Sequence, residues 1–239
     1  MSTVEQIVIC KFMLFSYIYH HKKVRAAEGM LGKMLERQVE LWRSDGHDDA
    51  RILCQFLLLT DGHLEHPVFR DSKDQFVKEY SERICWRLLP RLVFGVIPNN
   101  ASKDGQKLKS LGALLNDPNK RDATIKSVEN VLARELTKIP ALKDSPLYRA
   151  GVWFDVPKAP TFEKTESLLI GDDEPVLLQK IFPITNWVQA YEAHRYQIRF
   201  FAFSEYFEEA RAAAIVALQE IVGMNPEDLI DLDRTSSIP

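Results

Sequence analysis

Lys11, Phe15, Tyr19, His21, Lys22 and Arg25 crowd cations, aromatic rings and an imidazole into residues 11–30, KFMLFSYIYHHKKVRAAEGM. If this stretch is one helix turning about 100° per residue, and Lys11 sets the origin, Lys22 falls near about 20° and Phe15 near about 40°. Tyr19 falls near about 80° and Arg25 near about −40°, so the five residues make one stripe. His21 lies beside the stripe and His20 points to the opposite side. Lys and Arg at the ends of such a stripe can neutralise a phosphate chain, while a ring or base packs on Phe15 and Tyr19. The same residues also suit an ordinary long helix that buries its aromatics and lets Lys and Arg stems reach water.

The elements that must position this stripe are mostly helical. A helix is expected from about Val4 to Trp42, with a bend at Gly29 or Gly32, where glycine weakens a helix by about 1 kcal/mol relative to alanine. A second helix, Asp49 to Thr60, is apolar enough to be central, and a third runs from about Ser72 to Leu89, before Pro90. Two more follow the polar connection at 98–106: about Lys107 to Leu115, and Lys120 to Lys138, the latter reached through Asp117-Pro118-Asn119. The pattern then changes to β-branched and aromatic runs at Gly151–Val156, Ser167–Ile170 and Gln197–Phe203, read as three strands. A closing Ala-rich helix from about Glu205 to Val222 follows Ser204 as N-cap.

The expected fold is therefore mainly α, a helical bundle at 1–148 followed by a small α+β subdomain at 149–224 and a loose acidic tail at 225–239. No internal repeat or low-complexity tract interrupts it.

Composition bounds the chemistry. The 239 residues are 46% apolar, enough for a substantial core. Against 31 Lys and Arg stand 34 Asp and Glu, so the net charge of −3 gives non-specific nucleic-acid binding no global support, and any anion site must be local. Cys10, Cys54 and Cys85 form no CxxC pair and sit in apolar helical patterns, as expected for reduced structural thiols in a cytoplasmic protein. Glu5 and Lys11 disfavour a signal peptide in the apolar start, and no apolar run reaches the roughly 18 residues of a membrane span.

Other clusters of reactive residue types are weaker. His47-Asp48 is an adjacent pair of metal-ligand types, but it lies in a polar turn, SDGHDDA, without the rigid helix end and further ligands that a metal shell needs. Asp61, His63, Glu65 and His66 in DGHLEHP read as a solvated helix terminus cut short by Pro67. There is no GxSxG, no P-loop, no GxGxxG and no catalytic motif around His194. Asp155 in WFDVP reads as a turn residue before Pro157. Arg83, Arg87 and Arg91, spaced at i, i+4 and i+8, read as a solvated face of the third helix.

The helix TVEQIVICKFMLFSYIYHHKKVRAAEGML resembles the segment after the catalytic core in HD-domain phosphohydrolases related to dNTP triphosphohydrolases. That family's pattern is an Arg, an aromatic or His, Tyr-x-His-Lys, and in many bacterial members Arg-Ala-x-Glu. Lys11 stands at the Arg position and Phe15 at the aromatic or His position. Tyr19, His21, Lys22, Arg25 and Glu28 match the remainder. FLLLTDGHL, GVWFDVPKAPTFEKTE and YQIRFFAFSEYFEEA resemble later parts of the family more loosely.

The resemblance implies a nucleotide site lined by Lys11, Phe15, Tyr19, His21, Lys22 and Arg25. Lys11 keeps the charge of the family's Arg but loses its bidentate fork. Phe15 cannot donate a proton as His could. The family's metal ligands, His, His-Asp and Asp, belong to a portion that would precede these residues. A divalent metal is thus expected in a complete HD enzyme and not in this chain.

The expectation is a C-terminal portion or subunit of a (deoxy)nucleotide phosphohydrolase, inactive alone and working with a metal-bearing HD chain or domain. A fragment, a split-enzyme subunit and a non-catalytic descendant all fit. The alternative is a non-catalytic module, homo- or hetero-oligomeric, whose first helix is a seam around Ile7, Leu14 and Ile18.

Overall fold

Eight helices and a small antiparallel sheet make up the described part of this computed structural model, so the chain is mainly α with a small α+β part. The structure describes residues 3–60, 62, 67–97, 105–139, 151–157, 168–169, 176–177, 198–225 and 227. The motif at 61–66, save Gly62, the segment around His194 and the acidic tail, save Asn225 and Glu227, lie outside them.

The first helical stretch is not continuous. α1 (Thr3–Leu14) passes into a π-helical turn, Phe15–Tyr19, and only after a break at His20-His21 does α2 (Lys22–Ser44) begin. The run Phe-Ser-Tyr-Ile-Tyr contains a β-branched residue and three aromatics, whose side chains lose rotamer freedom against the preceding turn of an α-helix. α2 then runs uninterrupted through Gly29 and Gly32, where a bend was expected.

Gly29 serves packing instead of bending. A Cβ there would collide with the Trp153 indole, at 2.8 Å from Cε2 and 3.2 Å from Cδ1, so glycine lets α2 lie directly on that ring. The stripe of Ala26, Met30, Met34, Gln38 and Trp42 faces inward at helical spacing.

α3 (Asp49–Leu57) is not central as expected. Only Ile52 is buried, while Leu53, Leu57 and Leu58 are well exposed. Its N-cap is Asp48, whose Oδ1 accepts the Arg51 N–H at 2.8 Å. After the short α4 (Pro67–Arg70), α5 (Gln75–Cys85) packs on α2 and ends before the expected Leu89.

The sequence reading also missed β1 (Arg91–Val96). Val93, Phe94 and Val96 are all buried, so the strand is covered on both faces and lacks the alternation that marks a half-exposed strand. β1 pairs with β5 (Ile198–Ala202), which pairs on its other edge with β2 (Val152–Asp155), giving the order β1-β5-β2. A register shift between Leu92 and Phe94 leaves Val93 as an extra residue in the β1 ladder. A separate two-stranded ribbon joins β3 (Leu168–Leu169) to β4 (Val176–Leu177), of which only β3 falls in an expected strand.

α6 (Gly105–Asn116) and α7 (Pro118–Thr137) lie close to their expected places. Asp117 caps α7 by accepting the Asn119 N–H at 2.9 Å, with Pro118 in the first turn, where its missing N–H costs nothing. α8 (Phe207–Val222) packs its buried Ala210, Ala213, Ala214 and Ala217 toward α7 and the sheet. Ser204 does not cap it: a 3₁₀ turn, Ser204–Tyr206, comes first. Gly223 ends α8 in the left-handed conformation, φ 69°.

Candidate functional site: a cationic cleft between the start of α2 and β1

The break at His20-His21 divides the expected stripe. His21 becomes the N-cap of α2, its Nδ1 accepting the Lys23 N–H at 3.2 Å. Its side chain therefore serves the helix end. Arg25, one turn into α2, turns toward the sheet rather than outward. Its Nε donates to Asp155 Oδ2 at 3.1 Å, its Nη2 to Asp155 Oδ1, and its Nη1 to Glu28 at 2.6 Å. Burial disfavours the charged guanidinium, but Asp155 and Glu28 outweigh it and raise the Arg25 pKa above its ordinary value. Asp155 is thus a buried anchor for α2 as well as the end of β2.

His20 faces inward beside that anchor. Arg199, paired with Asp155 in the sheet register, donates to the His20 carbonyl at 2.7 Å. Burial, then the positive fields of Arg199 and Arg25, lower the His20 pKa from 6.5 to about 4, with Asp155 opposing. The imidazole is neutral at physiological pH. This group of His20, Arg25, Asp155 and Arg199 joins α2, β2 and β5 and orients the start of α2.

What that start presents is a cleft of about 710 Å³, a size suited to a small ligand. Lys22 and Lys23 come from α2, Arg87 from the loop after α5, and Arg91 from β1. Phe201 and Phe207 give the cleft an apolar lining. The Arg91 guanidinium lies 5.8 Å from the Phe207 ring centroid, which restrains its direction. Four cations from three parts of the chain converge on one cavity in a protein of net charge −3. An anion can meet several of them at once.

Of the six residues assigned to the site from sequence, Lys22 lines this cleft. Lys11 is half-buried on α1, Tyr19 is half-exposed on the π-turn, and neither contributes to the cleft lining. The Phe15 side chain lies outside the described residues. Sequence reasoning missed Lys23, Arg87 and Arg91 as partners of Lys22. Lys23 adjoins Lys22 but falls off the stripe drawn by a continuous helix. In the sequence, Arg87 and Arg91 read with Arg83 as a single solvated helix face.

The arginine series in fact divides into three environments. Arg83 remains on α5, where its guanidinium stacks 4.2 Å from the Phe203 centroid and pairs with Glu205 at 2.7 Å and Glu79 at 3.2 Å. Arg87 lies just beyond the helix with φ 56°, a left-handed conformation usually taken by glycine. Its N–H donates to Ile84 O at 3.0 Å and the Leu88 N–H to Arg83 O at 2.8 Å, the paired bonds of a Schellman C-cap. This turn releases the chain from α5 and places Arg87 at the cleft. Among the described residues the Arg87 side chain has no carboxylate partner.

Among the described residues, metal-ligand residue types do not converge on one point. Asp48 caps α3, and His47 beside it is joined by no cluster of three or more His, Cys, Asp or Glu suited to a metal among the described residues. Cys10, Cys54 and Cys85 form no disulfide and are exposed, in contrast to the expected structural thiols. No helix among the described residues is long and apolar enough to cross a membrane. No protein-family model matches this sequence, and no curated protein matches it.

Proposed function

We propose that this chain is the C-terminal helical portion or subunit of an HD-type (deoxy)nucleotide phosphohydrolase, contributing a polyphosphate-binding surface rather than the catalytic metal site. The observation that carries the reading is the convergence of Lys22, Lys23, Arg87 and Arg91 on one cleft. Lys22 belongs to the stretch that resembles the family, and the other three extend its charge across the cavity. Arg offers a planar fork to phosphate oxygens and Lys a mobile point charge, so together they can hold a flexible phosphate chain in one direction. Their field would stabilise charge on the phosphates while a metal-bearing polypeptide activates water. Arg25 supports the surface by fixing α2 on the sheet, in place of the direct phosphate contact expected from sequence.

The test is thermal unfolding of the full chain with and without a deoxynucleoside triphosphate, followed by titration of Lys22→Ala/Lys23→Ala. Ligand at 100 times its Kd adds about 2.7 kcal/mol to stability. The double variant should require much more ligand for the same shift. An unchanged melting curve across millimolar ligand would remove the binding claim.

The second reading, a non-catalytic oligomerisation or interaction module, is favoured by α1 and the π-turn. Ile7, Met13, Leu14, Tyr17 and Ile18 are all exposed there, an apolar surface suited to burial against another protein. It predicts an assembly whose size and stability do not respond to nucleotide, readable by light scattering in the same titration.

A further inference from the structure

A second cavity, of about 550 Å³, adjoins the cationic cleft: Arg87, Leu89 and Arg91 line both. Its chemistry is different. Glu79, Glu82 and Glu205 contribute carboxylates, and the Arg83 charge is already engaged by two of them. Three carboxylates thus offset Arg83, Arg87 and Arg91 on this side, whereas the Lys22 side has four cations and no carboxylate in its lining, so phosphate groups are drawn to the Lys22 side. Trp86, at the end of α5, is 78% exposed and lines the second cavity immediately beside Arg87. An indole so exposed offers a flat face on which a heteroaromatic ring can stack, and stacking accepts any base because each has a π-face.

Building on the polyphosphate reading above, we infer that the second cavity is the ring subsite for a nucleoside polyphosphate that straddles Arg87. Its phosphates lie toward Lys22 and Lys23, and its base lies against Trp86. The carboxylates accept hydrogen bonds from sugar hydroxyls or exocyclic amino groups, which a phosphate oxygen cannot supply. Charge separation between the two cavities sets the ligand's direction, and the left-handed Arg87 lies where the two chemistries meet.

The experiment compares a deoxynucleoside triphosphate with inorganic tripolyphosphate on the full chain, by calorimetry and by tryptophan fluorescence. Both should bind in competition, with the nucleotide tighter and quenching emission more strongly. Trp86→Ala should weaken the nucleotide about tenfold, as expected for one lost base–aromatic stack, and leave tripolyphosphate within about twofold. Trp86→Phe should retain most of the nucleotide affinity while losing the quenching, which assigns the signal to Trp86 among the four tryptophans. Because Trp86 is exposed, an unchanged melting temperature should accompany both substitutions. Equal affinities for the two ligands, or a Trp86→Ala variant that weakens neither or weakens both equally, would overturn the ring subsite while leaving the phosphate site intact. Failure of both ligands to bind the unaltered chain would overturn both proposals.

Discussion

Arg87→Gly should make the protein more stable and a poorer binder, a pairing of effects that follows from one backbone angle. Arg87 occupies φ 56° within the Schellman turn that ends α5. An L-residue in the left-handed region costs roughly 1–2 kcal/mol, and glycine removes that cost. Glycine also frees the unfolded chain, which takes back roughly 0.4–1 kcal/mol. The net gain is about 0.5–1 kcal/mol, or a rise of roughly 1–4 °C in the melting temperature of a chain of this size.

The same change removes one of the four cations of the cleft. Loss of one charge-assisted contact to phosphate, about 1–2 kcal/mol, should weaken tripolyphosphate binding about five- to thirtyfold. Arg87→Ala separates the two effects, because it deletes the cation but keeps a Cβ in the left-handed region. It should lose affinity without the gain in stability. Calorimetric titration and differential scanning calorimetry on the three proteins provide the comparison. A melting temperature lowered by Arg87→Gly would refute the strain argument, and unchanged tripolyphosphate affinity in both variants would refute the assignment of Arg87 to the anion site.

Two further perturbations address the frame around the cleft. The folded His20 pKa of about 4 lies below its unfolded value of 6.5, so the unfolded state binds more protons between them, and stability should fall as pH drops from 6.5 toward 4. Burial, then Arg199 on β5 and Arg25 on α2, set the direction and Asp155 on β2 opposes it; between pH 7 and pH 5 the fall attributable to His20 is of the order of 2 kcal/mol and should shrink in His20→Gln, measured by urea unfolding at those two pH values. Gly29→Ala should destabilise by about 1–3 kcal/mol because its Cβ would meet the Trp153 ring. A melting temperature equal to or above that of the unaltered chain would show that the helix–indole contact has room to give.

Where local chemistry determines structure, the sequence was readable. Asp117-Pro118 announces α7 because an N-cap and a first-turn proline act on the next few backbone groups alone. β1 was not readable in that way, since Arg91–Val96 owes its conformation to pairing with β5, which arrives a hundred residues later. Lys22 was recognisable from its neighbours in sequence. Its spatial partners were not, because drawing the stripe required an unbroken α1–α2, and the π-turn and His20-His21 break rotate one part relative to the other. The low helix propensity of Phe15–Tyr19 was the available signal for that break. Arg87 carried none: only glycine at its position would have advertised the end of α5.

The sheet order β1-β5-β2 also governs when the protein can assemble during synthesis. The strand in the middle is the last to be made, and β1 and β2 share no ladder until it arrives. A nascent or truncated chain ending before Ile198 therefore carries two strands with unmade backbone bonds and exposes Phe94, Trp153 and Phe154, which the finished protein buries. Insertion of Ile198–Ala202 closes both ladders together and, by pairing Leu92 with Phe201, completes one wall of the cationic cleft in the same event. Closing the sheet and completing the cleft wall thus both depend on contacts of high sequence separation, which form late in a chain that folds as it is made.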